Sequence, residues 1–104
     1  MDFSIIIEAR LNSRRLPNKI LMKIKKYSFL EYLIKRLKLV KNVRDIIIAT
    51  TDNEPNEEII QIAKRNKIKW FKGSEKNVLL RVIKTGKYFK CKNIVRVTSD
   101  CPLI

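Results

Sequence analysis

Apolar residues come in two kinds of short burst along the chain, and the alternation between them predicts the fold. Phe3-Ser-Ile-Ile-Ile-Glu-Ala9 is a nearly continuous β-branched run, the pattern of a strand covered on both faces. A polar, basic stretch with Pro17 and no helical period follows from Arg10 to about Lys26. From there Phe29, Leu30, Leu33, Ile34, Leu37 and Val40 recur at helical spacing, and Ser28 with Glu31 forms a capping box. Ile46-Ile-Ile-Ala-Thr50, entered through Val43, predicts a second buried strand. Pro55, Glu57 and Glu58 open a second helix with Ile59, Ile60, Ile62 and Ala63 as its apolar face and Lys64 and Arg65 at its end, the order of charges a helix dipole favours. Ile68 to Phe71 predicts a third strand closed by Lys72-Gly73. A third helix from about Lys76 to Phe89 is expected to bury Val78, Leu79, Val82, Ile83 and Phe89, and Asn93-Ile-Val-Arg-Val-Thr98 predicts a fourth strand.

Four strands alternating with three helices over short connections imply right-handed crossovers and an α/β fold: an open, mostly parallel sheet sandwiched by helices, in one domain spanning 1–104. Ligands in such sheets sit beyond the carboxyl ends of the strands, where the strand order reverses. With the first strand central and the fourth beside it, the loop after the first strand and the segment after the fourth face each other. Arg10, Arg15 and Lys19 then oppose Asp100, a composition suited to a polyphosphate with its magnesium.

Composition narrows the chemistry. The chain has no His, so imidazole catalysis and His-ligated metals are excluded, and its two glycines, Gly73 and Gly86, fit neither a dinucleotide fingerprint nor a Walker loop. Cys91 and Cys101 lack metal-site spacing and are expected to be reduced structural thiols. No apolar run approaches a membrane span and no leader is evident, which gives the expectation of a cytoplasmic protein with no membrane partner. The net charge of +14 invites a nucleic-acid reading, but 16 of the 24 cations are lysines scattered along the chain. Most aromatics also fall at predicted core positions rather than on a stacking face, so solvated surface lysines and an anionic substrate are the stronger readings.

Several positions admit two readings from the residues alone. Thr50 and Asp52 serve either a helix-entry turn or a nucleotide, Ser74 and Glu75 either cap a helix or reach a base or ribose, and Arg81 either snorkels to water or points to a site. Asp100 is either a turn former or a metal ligand, and its place opposite the cationic loop favours the ligand.

Ala9-Arg10-x-x-Ser13-x-Arg15-Leu16-Pro17-x-Lys19 resembles the nucleotide-binding signature of the sugar cytidylyltransferases, within them most the spore-coat polysaccharide branch related to the acylneuraminate and 3-deoxy-manno-octulosonate enzymes. The resemblance continues through Leu30-Glu31-Tyr32, Ala49-Thr50-Thr51-Asp52-Asn53, Gly73-Ser74-Glu75 with Val78-Leu79 and Arg81, and Arg96-Val97-Thr98-Ser99-Asp100-Cys101-Pro102-Leu103-Ile104. It implies a nucleotide-diphospho-sugar transferase fold that moves CMP from CTP to a sugar acid or related sugar and releases pyrophosphate, in surface polysaccharide or glycoconjugate synthesis. It also implies that Arg10 and Lys19 contact the triphosphate, that Asp100 binds magnesium, and that Ala9, Ser13, Arg15, Thr50, Asp52, Ser74, Glu75 and Arg81 belong to the nucleotide site. Glu8 stands where the family often has Gln or Pro, and an acid beside a triphosphate needs a neutralising cation, for which Arg10, Arg14 and Lys19 are the sequence candidates. The family continues beyond the point matching Ile104, so the chain is expected to be the N-terminal part of a longer enzyme and to turn over slowly alone. The rivals are a non-catalytic nucleotide-binding domain and, more weakly, a basic nucleic-acid module. An uncovered edge on the fourth strand leaves room for a homodimer.

Overall fold

The computed structural model describes residues 2–9, 23–24, 27–51, 57–73 and 77–98. Strand β1 (Phe3–Glu8) is followed by two short strands, β2 (Lys23–Ile24) and β3 (Tyr27–Ser28), and by helix α1 (Phe29–Leu37). Then come β4 (Val43–Thr51), α2 (Glu57–Arg65), β5 (Lys69–Gly73), α3 (Val78–Tyr88) and β6 (Ile94–Thr98). β5, β4, β1 and β6 lie side by side in that order, every pair parallel, while β2 and β3 pair antiparallel apart from them. This is the expected α/β architecture, with the little β2–β3 ribbon as an addition inside what the sequence predicts as a loop.

Strand periodicity divides the sheet's side chains between two layers. Ile5, Ile7, Ile46 and Ile48 face α1 and α2, where Leu30, Leu33, Ile34, Ile59, Ile62 and Ala63 complete a buried core. Ile6, Ile47 and Ala49 face α3 and meet Val82, with Phe89 and Cys91 at the margin. β1 and β4 are buried on both sides because helices cover both faces, which is why their sequences run apolar without alternation.

Glu31, the acid of the predicted capping box, bonds across to another helix. Glu31 is buried in α1 and its carboxylate accepts hydrogen bonds from Arg65 at 2.8 and 3.2 Å and from the Asn66 amide at 3.4 Å. It thereby ties α1 to the end of α2. The hydrogen bond first, and the charge second, raise the Arg65 pKa above its ordinary value.

Helix α3 corrects the expected buried stripe. Of the residues expected inside, Val82 is buried and Phe89 half-buried, but Val78 is exposed, Leu79 is 68% exposed and Ile83 42%. The inward face is Arg81, Val82, Thr85 and Gly86. Thr85 donates its hydroxyl to the Arg81 carbonyl at 2.7 Å, so it needs no partner from the sheet. Val40 likewise lies beyond the end of α1, outside its buried stripe. α3 starts at Val78, where the Asn77 side chain accepts from the Leu80 N–H at 2.9 Å, so the N-cap is Asn77 and the capping role open to Ser74 is taken.

Gly73, at the end of β5, lies close against α3. A Cβ there would lie 2.9 Å from Cγ of Arg81, a side chain held under the helix. Gly73→Ala is therefore expected to destabilise the protein by about 1–3 kcal/mol in urea denaturation, the usual cost of overpacking. Ile47→Ala should lose about 2–5 kcal/mol as a cavity mutation, whereas Leu79→Ala should stay within about 0.5 kcal/mol of the parent. Equal losses at Ile47 and Leu79 would show that α3 is turned the other way.

Candidate active site

The strand order reverses between β1 and β6, so the crevice this topology builds lies beyond Glu8 and Thr98, which are in register at the carboxyl ends of those strands. The elements bring three charged side chains together there. Glu8, on the α3 face of β1, is only 7% exposed, and its Oε1 accepts a hydrogen bond from Nη2 of Arg81 at 3.2 Å. Its other oxygen, Oε2, accepts from Nε of Arg96, which comes from the neighbouring strand. Arg96 is opposite Ile6 in the register, so its side chain leans along β6 toward the carboxyl end to reach Glu8.

The access of Arg81 to this cluster follows from two small residues. Gly73 on β5 leaves space for its stem, and Ala49 on β4 lies in register with Glu8 on one side and Phe71 on the other. A guanidinium can thus cross from α3 to the central strand beneath the helix. Arg81 is buried rather than snorkelling to water. Among the described residues the cations that neutralise Glu8 are Arg81 and Arg96. Arg10, Arg14 and Lys19, named by sequence for that task, lie outside the described residues.

The other site residues divide in the same way. Ala9 follows β1, is buried, and donates its N–H to the Ala49 carbonyl at 3.1 Å, which places the start of the signature loop at the strand end. Thr50 lies within β4 rather than in a helix-entry turn, fully buried. Its hydroxyl has no hydrogen-bond partner among the described residues. Strand alternation sets it on the α1–α2 face, whereas Arg81 is on the opposite face. Arg10, Ser13, Arg15, Lys19, Asp52, Ser74, Glu75 and Asp100 fall outside the described residues. Among the described residues no group of three His, Cys, Asp or Glu could hold a metal ion.

Sequence reasoning missed Arg96 as a site residue and took Glu8 only as an oddity. The available signal was an Arg in the middle of a strand of Ile, Val and Thr, two residues before the strand end. A hollow of about 260 Å³ lined by Val43, Arg44, Asp45, Lys67 and Lys69 lies at the amino ends of β4 and β5, the opposite end of the sheet from this cluster. No helix among the described residues is long and apolar enough to cross a membrane.

Comparison with known proteins agrees with this fold. A protein of Methanocaldococcus jannaschii, MJ1063, of uncharacterised function, is 42% identical over 98 residues, covering 94% of this chain and 40% of that protein. The spore coat polysaccharide biosynthesis protein SpsF of Bacillus subtilis is 32% identical over 107 residues, covering 99% of this chain and 45% of SpsF. Among solved structures, a cytidylyltransferase from Leptospira borgpetersenii serovar Hardjo-bovis superposes with a TM-score of 0.92 at 35% identity, over all of this chain and 44% of that one. CMP:2-keto-3-deoxy-manno-octonic acid synthetase, solved in complex with CTP, shares the fold at a TM-score of 0.83 and 22% identity, over all of this chain and 42% of that one. The chain spans less than half the length of the relatives it matches. The cytidylyltransferase profile itself matches residues 4–104, nearly end to end across the sheet, its helices and the crevice, and the chain belongs to the cytidylyltransferase family.

Proposed function

We propose that this chain is the nucleotide-binding part of an enzyme that transfers CMP from CTP to a sugar acid or related sugar. The observation that carries the reading is the family match over residues 4–104 on a sheet whose reversal point lies at Glu8 and Thr98, the residues that the signature segment and Asp100 follow in the sequence. In the reaction an acceptor hydroxyl oxygen forms a bond to the α-phosphorus of CTP, the bond from that phosphorus to the bridging oxygen breaks, the hydroxyl proton is lost, and pyrophosphate leaves. Such reactions depend mostly on positioning and charge neutralisation.

The residues supply these two tasks from different elements. Arg10, Arg15 and Lys19 bind and neutralise the phosphates, and Ser13 offers a hydroxyl in the same loop. Arg81 brings a buried guanidinium toward the crevice from α3. Thr50 within β4, together with Asp52, Ser74 and Glu75, which follow β4 and β5 in the sequence, are the residues for the nucleoside. Asp100 is the residue for magnesium, and a carboxylate oxygen suits that hard cation. When bound, the ion would supply charge neutralisation on the phosphate oxygens. SpsF, whose name links it to spore coat polysaccharide synthesis, supports a sugar as the acceptor.

CTP with magnesium should raise the melting temperature, because a ligand bound only by the folded state stabilises it by about 2.7 kcal/mol at 100 times its Kd. Equal shifts with CTP and inorganic triphosphate would show that there is no base pocket, and no shift with either would remove the reading. Asp100→Asn should abolish the magnesium dependence of binding and leave the melting temperature of the free protein unchanged. Thr50→Val should leave stability unchanged or raise it by up to about 1 kcal/mol, since it removes a buried hydroxyl that no described residue pairs. If Thr50 serves the nucleoside, the same variant should lower CTP affinity while triphosphate affinity holds, as read by titration calorimetry.

A further inference from the structure

We propose that Glu8 is a positioning residue that holds Arg81 and Arg96 at the β1–β6 crevice, so that Arg96 presents its terminal nitrogens to the phosphate oxygens of the nucleotide. The inference rests on the nucleotide reading above and goes beyond it, since it adds two residues on other elements to the cationic loop. Each carboxylate oxygen of Glu8 is taken by a different guanidinium, Oε1 by Arg81 and Oε2 by Arg96. Arg81 is buried, whereas the Arg96 side chain is 53% exposed and is bonded to Glu8 through Nε. No other hydrogen bond engages Arg96 among the described residues, so the four N–H donors of its two terminal nitrogens are available in a plane that Glu8 fixes. A planar guanidinium fixed at one edge is the group suited to two oxygens of a phosphate.

Charge and place agree with this. One carboxylate between two guanidiniums leaves one net positive charge, on the strand pair where the order of the sheet reverses. A residue serving only to compensate buried Arg81 would not need the half-exposed Arg96 on its second oxygen.

The test is titration calorimetry of the 104-residue chain and its variants with CTP and with inorganic triphosphate, at 0.15 M salt and at a temperature where circular dichroism shows each variant folded. Glu8→Gln should weaken binding of both ligands at least tenfold, Glu8→Asp should recover affinity to within threefold of the parent, and Arg96→Gln should cost as much alone as together with Glu8→Gln. Adventitious binding to surface lysines would instead strengthen when Glu8 loses its charge. A folded Glu8→Gln variant that binds as tightly as the parent, or more tightly, overturns the proposal. Should Glu8→Gln not fold, Arg96→Gln decides alone: unchanged triphosphate affinity overturns the proposal and a tenfold loss supports it. CTP bound equally by parent and Glu8→Gln leaves the nucleotide reading standing without the cluster. Triphosphate bound without preference for CTP, but lost in Glu8→Gln, leaves the cluster without the nucleoside pocket, and no binding by the parent overturns both.

Discussion

A carboxylate on the α3 face of the central strand sets much of what surrounds it. Glu8 is nearly withdrawn from water between β4, β6 and α3, and an ionised group in that place is stable only if it is paired. Breaking such a pair by removing one partner costs about 3–5 kcal/mol, which is a large part of the stability of a domain of this size. The partner comes from α3, so α3 must turn the face carrying Arg81 toward the sheet. Its neighbours one turn on, Thr85 and Gly86, go in with it, and Leu79 and Ile83 turn out. Gly73 beneath the helix and Ala49 in the register beside Glu8 are the small residues that leave room for this arrangement.

This explains where the sequence was legible and where it was not. The strands at Phe3, Val43 and Ile94 and the helix α2 follow from local pattern, because β-branched runs buried on both faces and a helix with Glu57 and Glu58 first and Lys64 and Arg65 last carry their instructions in adjacent residues. The orientation of α3 does not, because a hydrophobic stripe is a local signal and the ion pair that overrides it spans 73 positions of the chain. The exits of the helices were also hard to read. Lys67 and Lys90 adopt positive φ two residues past the ends of α2 and α3, as does Asn42 just before β4, and none is the Gly that ordinarily marks such a turn. For the site, the loop motif was visible as a spacing of cations, whereas Arg96 acquires meaning only through a parallel register that brings it within reach of Glu8.

Most of the exposed large apolar side chains lie on one side of the molecule. Val78, Leu79, Leu80, Ile83 and Tyr88 on α3 and Ile94 on the α3 face of β6 make up this majority, beside an edge strand whose outer backbone groups pair with no strand among the described residues. The α1–α2 layer, by contrast, closes over its half of the sheet with buried Ile and Leu side chains from both helices. The two faces of one sheet thus differ in how completely they are covered, and the less covered side is also the side on which the crevice cluster forms.

The high positive charge is therefore a poor guide to the chemistry, and the division between Arg and Lys is a better one. Among the described residues the buried glutamates, Glu8 and Glu31, are met by arginines, Arg81 and Arg96 in one case and Arg65 in the other. Two lysine pairs, Lys69 with Asp45 and Lys72 with Glu57, involve cations that remain about half exposed and so contribute little. The physical reason is that a guanidinium is more weakly hydrated than an ammonium and offers donors in a fixed plane, so it can enter a desolvated site and hold two acceptors at once. Sixteen lysines raise the charge of the surface, whereas two of the eight arginines, brought onto one carboxylate by α3 and β6, give the crevice its geometry.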